Sequence, residues 1–392
     1  MKKNLVLVLI CLLLVLSASA CSNKGENAPP AGANTQQAST ALTFTDLAGR
    51  TVTLESRPEK FIVANYIANF LMVGGAESLD KVVGMTFDGW KDTRFGEYTV
   101  FTRAFPRMLG GEGGITSIGG YHDDILNAEL IVSLKPDIIL MSNSQFTANN
   151  QNIAAFEAAG IKVVVLDYHA QKLENHSKST EILGKLLGRE KVAQEQIDAY
   201  VQAINDVKTR IAALPAEKKQ KKVYMELGNK GVGEYGNSYG NSMLWGGIIN
   251  NLEAKNLAGN LEAGYGPLDK ELVLTSDPDI IFIGGSIWSG DTKGNQMRMG
   301  FTVDENTAQA RLKGFAQRPE WKNLSAVKNG EIYGIDHGSL RNMIDYTFTQ
   351  YMAKVIYPDL FKDLDPEKTM NDYYAKYLPE LKYTGTFMIK LK

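Results

Sequence analysis

The chain has 392 residues, with 42 Lys and Arg against 44 Asp and Glu and a net charge of −2. A balance this close to neutral, with the basic residues scattered, argues against nucleic acid as a partner. Two cysteines exclude a disulfide framework, and nothing after Cys21 is apolar and long enough to span a bilayer.

Residues 1–20 read as a signal peptide: Lys2 and Lys3, an apolar core from Leu5 to Leu16, then small residues. Ala18-Ser19-Ala20-Cys21 resembles a bacterial lipobox, with Ala18 in place of the more usual Leu. The resemblance implies cleavage before Cys21 and a lipid on its thiol; the alternative is an ordinary secretory signal followed by an incidental Cys. Residues 21–41 are polar and rich in Pro, Gly and Asn. They are expected to be a lipid-anchored flexible linker, placing the protein on the extracytoplasmic face of the cell membrane.

Residues 42–187 are expected to form an N-terminal α/β lobe. Thr43 to Leu54 alternates around Ala48-Gly49, a hairpin signal. Phe61-Ile-Val-Ala-Asn65 and Val82-Val83-Gly84-Met85 read as strands, separated by a helix over Asn69 to Val73. Thr93 to Tyr121 reads as irregular, with one helical turn near Phe101. A strand at Ile138, a helix over Asn150 to Ala159, a strand at Val163 and a helix over Thr180 to Leu187 follow.

Residues 188–215 are expected to be a connecting helix. Ala193, Ile197, Tyr200, Val201, Ile204, Val207, Ile211 and Leu214 recur at the spacing of one helix face. Gly188 suits the end of the preceding helix, and Pro215 stops this one. Such a helix spans roughly 35–40 Å. Its polar residues, Gln196 among them, are assigned to a wet face, so it reads as a rigid strut between two lobes.

Residues 216–392 are expected to form a C-terminal α/β lobe. Lys222 to Leu227 reads as its first strand, then a helix over Met243 to Asn251 and an insertion over Ser289 to Thr307. Tyr346 to Tyr357 and Glu367 to Tyr377 read as closing helices. Lys218 to Lys222 reads as a solvated turn.

The two flanks repeat one another. Glu129 opens ELIVSLKPDIILM and Glu271 opens ELVLTSDPDIIFI, at one constant offset. In each, Pro ends a short helix, and a wholly apolar run reads as a strand buried on both faces of a parallel sheet. Ile161 to His169 and Ile332 to His337 continue the echo. The repeat implies two similar α/β lobes with mostly parallel central sheets.

With these residues laid out, the chain resembles the helical-backbone group of ABC-transporter substrate-binding proteins, which take up iron–siderophore complexes, haem, corrinoids and sometimes oxyanions. TFTDLAGRTVTL, NAELIVSLKPDIIL, AGIKVVVLD, LDKELVLTSDPDIIFI and AVKNGEIYGID carry the resemblance. It implies two Rossmann-like lobes joined by a single long α-helix, a ligand between them and little hinge motion. It also implies an ABC permease with its ATPase as partner, and gives Glu129 and Glu271 a role as one acidic docking knob per lobe. The alternative for both is compensation of a helix dipole.

Ligands of open α/β sheets bind beyond the carboxyl ends of the strands. The residues following the strands are Tyr66, Trp90, Tyr121, Ser144, Tyr168 and His169 in the first lobe. In the second they are Tyr235, Tyr239, Trp245, Ser286, Trp288 and His337. So many aromatics at loop positions suit a flat or greasy ligand; the competing reading is that each caps its lobe's core. Arg298 and Arg341 are the cationic candidates for holding a negatively charged ferric chelate. No site for a bare metal is expected; His337 or His169 could at most complete the coordination of an iron that arrives chelated.

The expected function is capture of a small-molecule metal chelate, a ferric siderophore, by a monomeric receptor that makes and breaks no bond and holds no resident cofactor. Haem, a corrinoid or an oxyanion such as molybdate or tungstate are alternative ligands. Gly236-Asn-Ser238-Tyr-Gly240 also matches a nucleophile elbow, leaving a serine hydrolase using Ser238 as a remote alternative.

Overall fold

Wholly apolar runs set the positions of two sheets, and a computed structural model describes them within residues 41–392 apart from 88 and 263. The expected signal peptide, Cys21 and the expected linker up to residue 40 lie outside the described residues. The hairpin β1 (Leu42–Thr45) and β2 (Thr51–Leu54) is antiparallel, as its alternation predicts. The first lobe continues through β3 (Phe61–Val63), α1 (Ile67–Gly74), β4 (Val82–Met85), α2 (Trp90–Thr93) and α3 (Phe95–Ala104). It then runs through β5 (Thr116–Ser117), α4 (Ala128–Leu134), β6 (Ile138–Met141), α5 (Asn143–Ala148), α6 (Asn150–Ala158), β7 (Lys162–Val165) and α7 (Leu173–Leu187). Its five strands lie in the order β5-β4-β3-β6-β7, all parallel.

After α8 (Glu190–Ala212) come β8 (Lys222–Leu227), β9 (Asn237–Tyr239), α9 (Leu244–Asn251), β10 (Lys255–Asn256), β11 (Tyr265–Pro267) and α10 (Lys270–Ser276). There follow β12 (Ile280–Gly285), β13 (Gly300–Phe301), α11 (Glu305–Ala316), α12 (Ser325–Lys328) and β14 (Ile332–Asp336). The chain closes with α13 (Tyr346–Ile356), α14 (Pro366–Tyr377), β15 (Gly385–Thr386) and β16 (Met388–Lys390). The second sheet is β10-β8-β12-β14-β16, parallel except that β16 runs antiparallel to β14. The fold is therefore α/β, with two mostly parallel sheets. Among the described residues no helix is long and apolar enough to cross a membrane.

The repeated Pro-Asp has a physical role. Asp137 Oδ2 accepts the backbone N–H groups of Glu59 and Lys60 at 2.7 and 2.8 Å, and Asp279 Oδ2 accepts that of Lys222 at 2.7 Å. The N–H of each Asp donates back to Lys60 or Lys222 oxygen at 2.9 Å. In each lobe the carboxylate satisfies amides at the start of the neighbouring strand, where the ladder has not yet begun and would leave them open. The short helix before each pair ends in a left-handed residue, Lys135 (φ 51°) or Asp277 (φ 46°).

Gly188, at φ 65°, ends α7 in the left-handed conformation that glycine adopts without strain, and α8 then runs unbroken for 23 residues. It does not hold the lobes apart. One apolar core runs from Phe61 and Phe70 through Tyr200 and Ile204 of α8 to Phe348 and Phe361. Gln196, assigned to the wet face, is wholly buried; it donates to Met72 oxygen at 2.8 Å and accepts from the Tyr373 hydroxyl at 2.7 Å.

The stretch read as irregular contains the ten-residue α3. Gly96 and polar residues dilute its apolar stripe, and it is stabilised by contacts the sequence does not announce. Phe95 N–H donates to Ile287 oxygen, Ser289 N–H to Asp92 oxygen, and the Ser286 hydroxyl to Thr93 oxygen, at 2.9, 2.8 and 3.1 Å. These bonds tie the first lobe to the second.

Candidate ligand cleft

In the order β5-β4-β3-β6-β7 the direction of winding reverses between β3 and β6, which opens a crevice at their carboxyl ends. A cavity of about 320 Å³ lies there, floored by Ala64, Asn65 and Tyr66 after β3 and by Ser144 and Gln145 after β6. Trp90, Arg94, Glu97, Tyr121, Asp124 and His169 wall it, and Gly338, Leu340, Arg341 and Asn342 close it from the loop after β14. The cavity is thus shared by the two lobes.

Three lining residues hold the left-handed backbone that side chains with a Cβ rarely adopt: Tyr66 at φ 64°, Asp124 at φ 60° and Arg341 at φ 80°. Tyr66 and Arg341 are pinned. Asn65 Oδ1 accepts Tyr66 N–H at 2.9 Å. Asp345 Oδ2 accepts Arg341 N–H at 3.2 Å, while Asn69 Nδ2 donates to Arg341 oxygen at 3.0 Å. Strain fixed by surrounding bonds in this way accumulates at binding sites.

Two arginines, Arg94 and Arg341, and two carboxylates, Glu97 and Asp124, line the cleft. Arg94 meets Glu97 at 3.6 Å, and Glu97 also accepts the Trp90 indole N–H at 2.8 Å. Among the described residues the Arg341 guanidinium has no carboxylate partner; its contacts are His337 oxygen at 3.3 Å and His337 Nε2 at 2.9 Å. Burial, together with the nearby Arg94, pulls its pKa down to about 10, so it stays charged at neutral pH. Burial and the charges of Arg341 and Arg94 hold both His169 and His337 well below the usual imidazole range. Both rings are therefore neutral. The Tyr66 hydroxyl lies 2.6 Å from His169 Nδ1.

Of the residues singled out in the sequence, Tyr66, Trp90, Tyr121, Ser144, His169 and Arg341 come together in the cleft. His337 stands directly behind Arg341. Behind it, Tyr239 stacks on its ring at 5.9 Å and the Trp245 indole reaches Nδ1 at 3.0 Å. The remaining candidates lie elsewhere. Tyr168 is wholly buried and bonded to Thr180 at 2.9 Å. Tyr235 accepts the Trp321 indole N–H at 2.6 Å in the second lobe's own core. Trp288 sits by the contact between residues 286–289 and α2. The wall of aromatics therefore reduces to Trp90, Tyr121 and Tyr66.

Arg298 is drawn away by the insertion that carries it. Met297 and Met299 are buried over the carboxyl ends of the second sheet; a Cβ on Gly228, just after β8, would stand 2.5 Å from the Met297 Cβ. The insertion fills the second lobe's own crevice and leaves Arg298 on Asp291 at 3.1 Å. The elbow at Ser238 is not formed either. Ser238 lies within β9, buried, with no hydrogen-bond partner for its hydroxyl among the described residues, whereas an elbow needs a strand-to-helix turn and a base.

Sequence reasoning missed Arg94, Glu97 and Asn69. Arg94 caps the start of α3 and Glu97 lies three residues on in its first turn, a pairing that becomes visible only once that stretch is known to be helical. Asn69, inside an otherwise apolar helix, was a legible signal: a polar residue there needs a partner.

Glu129 and Glu271 occupy the first turns of α4 and α10. Both are exposed, and neither forms an ion pair among the described residues.

Comparison with known proteins agrees with this architecture. Residues 110–337 match the model of a family described as periplasmic binding protein. The chain belongs to the periplasmic binding protein family. A crystal structure of the TroA-like periplasmic binding protein FepB from Veillonella parvula is 33% identical, with a TM-score of 0.81, covering 89% of this chain and 99% of that one. An uncharacterized ABC transporter substrate-binding lipoprotein, YvrC, from Bacillus subtilis is 24% identical over 82% of this chain and 87% of its own length. The iron(3+)-hydroxamate-binding protein FhuD of the same organism is 25% identical over 85% and 90%. This periplasmic binding protein is thus a substrate-binding protein of the ABC-importer class, and the members of its family bind rather than catalyse.

Proposed function

We propose that this protein captures a compact anionic metal chelate, a ferric siderophore or a ferric carboxylate complex, and delivers it to an ABC permease. Arg341 carries the reading: a recessed cation with no carboxylate partner among the described residues stays in a folded protein at a cost that an anionic ligand offsets. Arg94 adds a second charge, and Trp90, Tyr121 and Tyr66 supply aromatic surface. The Arg341 guanidinium, which lines the cavity, disfavours a bare cation beside it. Iron enters as cargo with its own ligands, and the protein takes no catalytic part. A lipid on Cys21 fits the lipoprotein character of the relative from Bacillus subtilis.

A volume of about 320 Å³ is at the low end of the range for drug-sized ligands. It favours a small chelate over a porphyrin or corrin, and keeps a bare oxyanion such as molybdate as the second reading. Thermal shift with ferric citrate, a ferric catecholate, molybdate, haemin and cobalamin tests this. Stabilisation by a ferric chelate is expected; stabilisation by haemin or cobalamin alone overturns the reading, and by molybdate alone favours the second.

Glu129 and Glu271 are the proposed docking residues. Support comes from their equivalent places in the two repeats, their exposure and their lack of an ion pair among the described residues.

A further inference from the structure

His337 lies between two groups that can only donate. The Trp245 indole N–H has no acceptor capacity, and neither has a guanidinium. The indole nitrogen is 3.0 Å from Nδ1 and Arg341 Nη2 is 2.9 Å from Nε2. A neutral imidazole has one acceptor nitrogen, and a protonated one has none. One of the two contacts therefore sets donor against donor.

The packing decides which one. Trp245 is wholly buried, held against Phe348 at 5.4 Å on one side and against His337 on the other. Tyr239 stacks on the His337 ring. Neither ring can turn away, and burying an unpaired indole N–H is costly. Nδ1 thus accepts from Trp245, the ring proton sits on Nε2, and it faces Arg341. The side chain free to yield is Arg341, which lines the cavity.

We propose that His337 is a positioning residue: with its proton fixed on Nε2 by Trp245, it denies Arg341 Nη2 a side-chain acceptor, leaving the guanidinium only the His337 backbone oxygen at Nη1, and so keeps Nη2 available to the ligand. An anionic oxygen placed between them accepts from both the guanidinium and Nε2–H, and so removes the conflict. The ligand group at this point is an acceptor with at least two free lone pairs, such as a carboxylate, catecholate, hydroxamate or oxo oxygen. The inference rests on the anionic-ligand reading for the use of Arg341, but the tautomer does not. The depressed basicity of His337 agrees with it, since protonation would make both nitrogens donors.

Two-bond ¹H–¹⁵N correlation spectra of the ligand-free, ¹⁵N-labelled protein at pH 7 decide the tautomer. The chain has four histidines, so a His337→Gln variant assigns the signal. The Nε2–H form is expected, and the Nδ1–H form overturns the proposal. Trp245→Phe frees Nδ1, so the proton is expected to move there and Nε2 to accept from Arg341. Affinity for ferric citrate or molybdate, whichever binds the wild type, then falls about tenfold, the loss of one charge-assisted bond. A tautomer that does not move in Trp245→Phe overturns the proposal; general loosening of the core would not shift it. Should that variant fail to fold, Arg341→Met replaces it: Nε2–H is expected to persist because Trp245 sets it, and a change to Nδ1–H overturns the proposal. If neither probe binds the wild type, the ligand reading fails while the spectra still decide the role of His337.

Discussion

Tyr373 of α14 donates its hydroxyl to Gln196 Oε1 of α8 at 2.7 Å, and the amide of the same Gln196 donates to Met72 oxygen at the end of α1. One buried side chain on the connecting helix thus joins an element of each lobe.

Gln196→Ala strands a buried hydroxyl and a buried carbonyl. Each such loss costs about 1–3 kcal/mol, so a destabilisation of about 2–4 kcal/mol is expected in urea unfolding. Gln196→Glu keeps the acceptor for Tyr373 but sets a carboxylate against Met72 oxygen, and is expected to be at least as damaging. A cost within the range of a surface substitution in both variants would show that α8 joins the lobes by its apolar face alone.

The Arg341 guanidinium is expected to matter for binding and to weaken the empty fold. Arg341→Met removes an unpaired charge from a recessed site, so the empty protein is expected to gain about 1 kcal/mol of stability. Ligand-induced stabilisation by the chelate that binds the wild type is expected to fall by about 2 kcal/mol, one or two charge-assisted bonds. Thermal unfolding with and without that chelate measures both. A variant that loses stability while binding as before would place Arg341 in the fold and not in the site.

Much of the architecture was legible because it repeats. The paired Glu-to-Pro-Asp blocks marked α4, β6, α10 and β12, and Asp137 and Asp279 show why the pattern persists: each carboxylate closes the start of a neighbouring strand. The α8 helix was legible from its spacing. The cleft was half legible, because strand ends can be read from a sequence but the partner that covers them cannot. Met297 fills the second lobe's crevice and sends Arg298 to Asp291; nothing local distinguishes that methionine from a wall residue. Arg94 escaped because α3 owes its helix to bonds with residues almost two hundred positions away. For the same reason β15 and β16 at the chain end went unseen, being strands only through pairing with β13 and β14.

Glu226 and Arg318 form a bidentate pair at 2.7 and 2.8 Å, both wholly or nearly buried. Arg318 also donates to Gly231, Val232 and Glu234 oxygens, fixing the loop before β9. Glu226→Gln leaves the guanidinium without a counter-charge, at an expected cost of about 3–5 kcal/mol. The double variant Glu226→Gln, Arg318→Met is expected to cost less than the sum of the two singles, because the second change removes the charge stranded by the first. Additive costs would argue that the ion pair itself contributes little.

Charge reversal separates docking from binding. Glu129→Lys and Glu271→Lys alter exposed first-turn residues, so each is expected to change stability by less than about 1 kcal/mol, the scale of a helix-dipole term. Ligand affinity is expected to stay as in the wild type, while uptake by cells carrying the cognate permease falls in either variant and more in the double. If uptake were unchanged in the double variant, the two carboxylates would serve only their helices.

Asp336, at the end of β14, gives the protein a pH dependence opposite to the usual one for a carboxylate. Burial pushes its pKa up to about 6, with the Ser339 and Gly338 amides opposing and Glu97 adding to the rise. Between about pH 4 and pH 6 the folded chain keeps a proton that the unfolded chain releases, so stability from this group is complete at low pH and declines as pH rises through 6. Two pKa units correspond to roughly 3 kcal/mol. Asp336→Asn cannot ionise, but it keeps an oxygen for only one of the two amides, because Gly338 N–H sits on Oδ1 and Ser339 N–H on Oδ2. It is expected to be less stable than the wild type near pH 4 by the lost hydrogen bond and to gain on it by an amount of that order between pH 4 and pH 7, read as the difference between the two urea unfolding curves at each pH. Taking the difference cancels the other carboxylates common to both proteins. A gap that stays constant from pH 4 to pH 7 would mean that Asp336 ionises in the folded protein as readily as in water.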